Sequence, residues 1–138
     1  MEKTLIEQHI AKALDRNPFC TFATVENNKP KLRYMAIYNQ GLSIYLATNS
    51  RTHKVEELEK NNQVALLFGY EAGGTKEVVE IEGTASVKDD TDLKHKIWND
   101  DLKQWFEGPD DPSYVILQIT PKRIEYTDQE GNKREWLE

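Results

Sequence analysis

One cysteine is all this sequence has, and Cys20 on its own excludes any intramolecular disulfide. A reduced, cytoplasmic setting is the expectation that follows. Cys20 lies inside the apolar run FCTFATV, where a small buried side chain needs no chemical role. Long apolar runs are missing too. No stretch reaches the ~18 residues of a membrane span, and the opening MEKTLIEQHIAKALD has no uninterrupted apolar core of signal-peptide length. A soluble, non-exported protein without a membrane partner is expected. Positive charge is scarce: 18 Lys and Arg stand against 24 Asp and Glu, a formal net charge of −6. That balance argues against nucleic acid, whose backbone asks for a broad basic face, but leaves room for one small anion. The three histidines, His9, His53 and His95, are scattered, so no metal site is expected. Nucleophile elbow, Walker loop and dinucleotide glycine fingerprint are all absent, and hydrolase and NTPase readings lose their best support.

What is present reads as strands with a few helices. The 138 residues fit a single domain, 1–138. Thr4 and Glu7 have capping-box spacing, and Leu5, Ile6, His9, Ile10, Ala13 and Leu14 then share one side of a helix that Pro18 closes. FCTFATVE, KLRYMAIY and LSIYLAT, joined by the turn signals NNKP and NQG, predict a three-stranded antiparallel meander. A short helix from about Thr52 to Lys60 leads into QVALLFGY, a nearly continuous apolar strand expected to be buried on both faces. EAGGTKE is a loop. VVEIEGTASV alternates, with Gly83 marking a bulge or a close backbone approach. Leu93, Ile97, Trp98, Leu102, Trp105 and Phe106 predict a helical stretch after Asp90, ended by EGPDDP, and YVILQIT closes the fold, resuming through Ile124 to Tyr126. Six strands with helices at the start, middle and rear point to a closed β-barrel decorated by helices.

Two segments carry the chemistry. YLATNSRTHKVEEL passes from a strand into a helix, and its junction holds Thr48, Ser50, Arg51, Thr52, His53 and Lys54. Helix N-termini carry roughly half a positive charge and favour acidic side chains, so a basic cluster there is a local conflict. An anion would resolve it, received by the hydroxyls of Ser50 and Thr52, the free backbone N–H groups and Lys54 or Arg51. A terminal phosphate fits. In KLRYMAIY, Arg33 shares a strand face with Met35 and Ile37, and an arginine among apolar groups takes an anionic partner, either a ligand or a glutamate. Bland readings cover the rest. Asp110 and Asp111 form a turn between Pro109 and Pro112, and Glu56, Glu57 and Glu59 make a solvated helix face with Val55 and Leu58 turned inward.

Taken together, these segments resemble the pyridoxamine 5′-phosphate oxidase-like flavoproteins, most closely the short general stress protein 26 branch. The resemblance rests on the Arg-x-Met strand, on the Thr and Lys of the helix start with the following NNQVALLF, and on DDPSYVILQITP. It implies a mainly β fold with helices (α+β), a six-stranded antiparallel split β-barrel of the FMN-binding type, with FMN (or FAD as the alternative) at the interface of a homodimer. The strand carrying Arg33, Tyr34, Met35 and Ala36 would run along the flavin. Thr48, Ser50, Thr52 and Lys54 would line its phosphate end, and Trp105 would approach it from the partner subunit. The chain departs from the oxidases in three places. Val78 stands where they carry a glutamine, His53 stands where they carry an arginine, and their C-terminal substrate segment has no counterpart. The expected function is therefore an FMN-binding flavoprotein, an oxidoreductase related to pyridoxamine 5′-phosphate oxidase, with no catalytic acid or base assigned. The rivals are a non-catalytic flavin or phosphate-ligand binding module and a deazaflavin-dependent reductase.

Overall fold

A computed structural model describes residues 2–69 and 77–138. Among them lie helix α1 (Lys3–Arg16), strands β1 (Phe19–Glu26), β2 (Lys29–Ala36), β3 (Tyr38–Gln40) and β4 (Ser43–Asn49), and helix α2 (His53–Lys60). Strands β5 (Gln63–Gly69) and β6 (Val78–Lys88) follow, then helix α3 (Thr91–Ile97), a 3-10 helix at Asp100–Gln104, β7 (Tyr114–Thr127) and β8 (Lys133–Leu137). Apart from Glu77, the loop expected over EAGGTKE lies outside the described residues, as does Tyr70.

The strands form one curled antiparallel sheet in the order β2-β1-β5-β6-β7-β4-β3, with β8 added on β7. Eight strands are described where six were expected, and the barrel is split rather than closed. The reason lies at Ile37. There the β1–β2 ladder runs out: the Ile37 N–H makes its last bond in register, to Pro18 O at 2.8 Å, Pro18 has no N–H to return, and the chain goes on as β3 against β4. The expected meander fails at the same residue: β4 pairs with β7, not with β2. The two ends of the sheet, β2 and β3, are thus joined by the chain and not by a ladder. The eighth strand was hidden in the charged KREWL. Glu130 N and Asn132 N donate to Asp128 Oδ1 at 3.0 and 2.8 Å, turning the chain so that Trp136 is buried opposite Ile124.

The inner face of the curl holds Phe22, Leu66, Phe68, Ile81, Ile44 and Leu117, and α1 closes one end with Ile6, Ile10, Ala13 and Leu14. Its capping box does not form: the helix starts two residues earlier, at Lys3, with Glu2 instead of Thr4 at the cap and no side-chain cap bond. β5 alternates instead of being buried on both faces, with Val64, Leu66 and Phe68 inside and Leu67 left 47% exposed. Gly83 sits at a register shift between β6 and β7, where a Cβ would lie 2.3 Å from Thr120 O, so the close approach read from sequence is there. On the outer face of β4 and β7 a second cluster forms from Ile97, Leu102, Phe106, Tyr114 and Ile116. The helical stretch after Asp90 covers it in two pieces, α3 capped by Asp90 and the 3-10 helix capped by Asn99. Asp111 is a turn former, its carboxylate accepting from Glu107 N at 3.0 Å and Ser113 N at 2.9 Å.

Candidate functional site

The junction between β4 and α2 builds one wall of a cleft. Asn49 reverses the chain, its Oδ1 accepting from Arg51 N at 2.9 Å and its backbone O from Thr52 N at 3.1 Å. Thr52 occupies the N-cap position of α2, but its hydroxyl donates back to Asn49 O at 2.9 Å and caps nothing. Ser50 is tied to the other side of the turn, donating from N to Ser113 O at 2.8 Å. Ser50 and Thr52 therefore stand beside the cleft and do not line it. Thr48, the last inward residue of β4, and Lys54, in the first turn of α2, do line it.

The cleft has a volume of about 540 Å³, within the range of small-molecule sites. From the β2 side it is lined by Tyr34, Met35 and Ala36 together with Phe19, whose ring stacks on that of Tyr34 at 5.8 Å. From β3 and β4 come Tyr38, Ala47, Thr48 and Asn49, and from the 3-10 segment Asp101, Leu102, Gln104, Trp105 and Phe106. Trp105, 68% exposed, faces the cleft of its own chain. Four of the eight strands thus converge here. Of the residues singled out in the sequence, Tyr34, Met35, Ala36, Thr48, Lys54 and Trp105 line this cleft. Phe19 and Ala47 line it as well and were not singled out, their only signal being outward alternation beside a break that sequence does not show.

Lys54 is the cation of this cleft. It is half-buried, and among the described residues its Nζ has one neighbour at hydrogen-bonding range, Met35 Sδ at 3.6 Å. Burial first, and the Arg33 charge second, pull its pKa down to about 8, against an opposing pull from Glu57. Arg33 does not reach the cleft. Its Nη2 donates to Glu57 Oε2 at 2.8 Å and Oε1 at 3.1 Å, and its Nη1 to Thr24 Oγ1 at 2.6 Å. The glutamate partner, not a ligand, is what this structure gives Arg33. Glu57 is correspondingly no part of a solvated face: its side chain is 3% exposed, while Glu56 and Glu59 are out in solvent. Burial works to raise the Glu57 carboxyl, but hydrogen bonds from Thr24 and Arg33 outweigh it and hold the group below the usual carboxylate range. His53 turns away from the cleft, with Nε2 3.0 Å from Glu26 Oε1. Glu26, His53 and Glu57 are the one group of potential metal ligands gathered among the described residues. Arg33 and Thr24 already occupy the Glu57 oxygens, so the group reads as an ion-pair network.

Beside the cleft mouth the outer face of β2, β1 and β5 is apolar and open. Tyr34 is 75% and Leu32 71% exposed. Register sets Tyr34 across Thr21 from Leu67, and Leu32 across Ala23 from Ala65.

The family model described as pyridoxamine 5′-phosphate oxidase matches residues 6–128. General stress protein 26 of Bacillus subtilis is 42% identical over 125 residues, which cover 90% of this chain and 89% of that protein. The crystal structure of general stress protein 26 from Bacillus anthracis superposes with a TM-score of 0.82 at 30% identity, covering 94% of this chain and 97% of the other. A pyridoxamine 5′-phosphate oxidase-related, FMN binding protein from Nostoc punctiforme shares the fold, with a TM-score of 0.73 at 16% identity over 94% and 87% of the two chains. The curled split sheet, the match along nearly the whole chain and the close likeness to two stress proteins agree, and the chain belongs to the pyridoxamine 5′-phosphate oxidase-like family, in its general stress protein 26 branch.

Proposed function

We propose that this cleft binds FMN, with the phosphate received by Lys54 and Thr48, and that the protein works as a homodimeric flavin-dependent oxidoreductase. The observation that carries the reading is Lys54 itself. A half-buried ammonium with no carboxylate within ion-pair distance among the described residues is costly unless an anion completes it. A phosphate supplies that anion, and the apolar walls formed by Met35, Ala36, Tyr34 and Trp105 suit a flat ring. The FMN binding named for the Nostoc punctiforme protein of the same fold is in keeping with this.

Bound FMN would supply the redox chemistry. The chain's own part is binding and exclusion of water: the aromatic walls cover the ring, and the Lys54 charge holds the phosphate. Asp101, Tyr34, Tyr38 and Lys54 line the cleft, but among the described residues no hydrogen bond joins them into an acid–base pair, and no catalytic acid or base is assigned. The same fact favours a second reading, in which the protein stores flavin without turning it over. Absorption and mass of the copurifying molecule test the cofactor, separating FMN from FAD and from a deazaflavin. Reduction of the bound flavin by NAD(P)H, followed by reoxidation over many cycles, separates an enzyme from a store. Absence of any flavin after reconstitution with excess FMN overturns both.

A further inference from the structure

Behind Lys54 lies a polar cluster, Thr24, Arg33 and Glu57, that does not line the cleft. Glu57 follows Lys54 by three residues on α2, which sets both on neighbouring turns of one side of the helix. Its buried carboxylate receives Arg33 from β2 and the Thr24 hydroxyl from β1 at 2.9 Å, while Thr24 in turn accepts from Arg33 at 2.6 Å. The three groups close a ring in which each polar atom used has a partner, the condition under which a buried network holds one geometry. Arg33 is thereby held beside Met35, the residue whose sulfur touches Lys54.

We propose that Glu57 is a positioning residue for the cleft: with Thr24 it pins the Arg33 guanidinium behind Lys54, so that Lys54 alone is presented as the cation for a phosphate-bearing ligand. The inference rests on the phosphate seat argued above and adds its control. The charged groups around Glu57 are Arg33 from β2, Glu26 from β1, and His53, Lys54 and Glu56 from α2, with Lys60 bordering the groove on the far side. Arg33 disfavours the proton on Lys54 and Glu57 favours it. Removing the Glu57 charge leaves two adjacent cations without their counterion, and the one that can shed a proton is Lys54.

The test titrates FMN and riboflavin into flavin-free protein from about pH 6 to about pH 10, a range that spans the Lys54 transition. Wild type is expected to lose FMN affinity as pH rises through about 8, and riboflavin affinity not to follow. In Glu57→Gln the loss should begin about one pH unit lower, which makes FMN binding about twofold weaker near pH 7 and close to tenfold weaker above pH 8, with riboflavin unchanged. Thr24→Val, which keeps the carboxylate but frees one side of the guanidinium, should move the midpoint the same way by less, and stands in if Glu57→Gln does not fold. FMN and riboflavin titrating alike in wild type would remove the phosphate seat itself. Wild type distinguishing the two ligands, with an unmoved midpoint and an equal loss of both in the variants, would leave the seat and overturn the role of Glu57.

Discussion

At the scale of single residues the proposed phosphate seat turns on Lys54, which the conflict between a basic cluster and a helix N-terminus singles out in the sequence. Arg33 was legible only as a residue needing an anion. The structure supplied Glu57, 24 positions away, which the spacing of three glutamates had placed in solvent. A one-dimensional charge pattern shows which side chains share a helix face, but not which neighbour that face is pressed against. Lys54→Ala should weaken FMN binding by about 1.5–3 kcal/mol, roughly ten- to a hundredfold, and riboflavin much less. Equal losses by calorimetry would mean that Lys54 serves the fold. In the absence of ligand the sign reverses. The folded pKa of about 8 lies below the ordinary lysine value of 10.5, so between these pH values the unfolded chain binds the extra proton and stability rises with pH. Lys54→Met should therefore melt higher than wild type at neutral pH, with the gap closing toward pH 10.5. A gap constant with pH would show that Lys54 is not strained by its burial. Cys20, whose thiol burial pushes up to about 12, should resist alkylation until the protein unfolds.

At the scale of elements, the strands with alternating or apolar runs were legible in kind and mostly in extent, because a period of two survives in β1, β4 and β6. What failed was pairing. KLRYMAIY carries no Gly or Pro, so nothing in the run marks the change of partner after Ile37, where pairing passes from β1 to β4 and the split in which the cleft lies opens. β8 failed for a different reason: of its five residues only Trp136 is buried, leaving a pattern too short and too charged to read as a strand. The bulge at Gly83 was read correctly, since glycine inside an alternating strand has few other uses. Gly83→Ala places a methyl group 2.3 Å from a backbone oxygen that cannot swing aside. The β6–β7 ladder should then part locally at a cost of about 1–3 kcal/mol. A lowered denaturation midpoint with an unchanged slope on denaturant is the expected result, and full wild-type stability would mean that the bulge relaxes freely.

At the scale of the whole molecule, the resemblance carried the split barrel and the family, while composition carried neither. The proposed homodimer rests on a surface that no helix covers among the described residues. Leu32, Tyr34, Phe19 and Leu67 are each at least 47% exposed, and all lie on or beside the outer face of β2, β1 and β5, next to the cleft. Apolar patches of more than a few hundred Å² are uncommon on monomers and mark contact surfaces. Burying this one against a second copy would cover the stacked Phe19 and Tyr34 rings and narrow the open side of the cleft in one step. Dimer formation and retention of flavin are then linked: ligand held between two chains favours the assembled state, and assembly favours ligand. Leu32→Glu combined with Leu67→Glu puts two like charges per chain into the proposed interface and leaves every residue lining the cleft in place. The wild-type protein should scatter light as a dimer at micromolar concentration and the double variant as a monomer, folded by circular dichroism but with weakened FMN binding. A wild-type monomer that keeps its flavin would sink the proposal. A monomeric variant binding FMN as tightly as wild type would show instead that each cleft is complete within one chain, and that the apolar face serves some other contact.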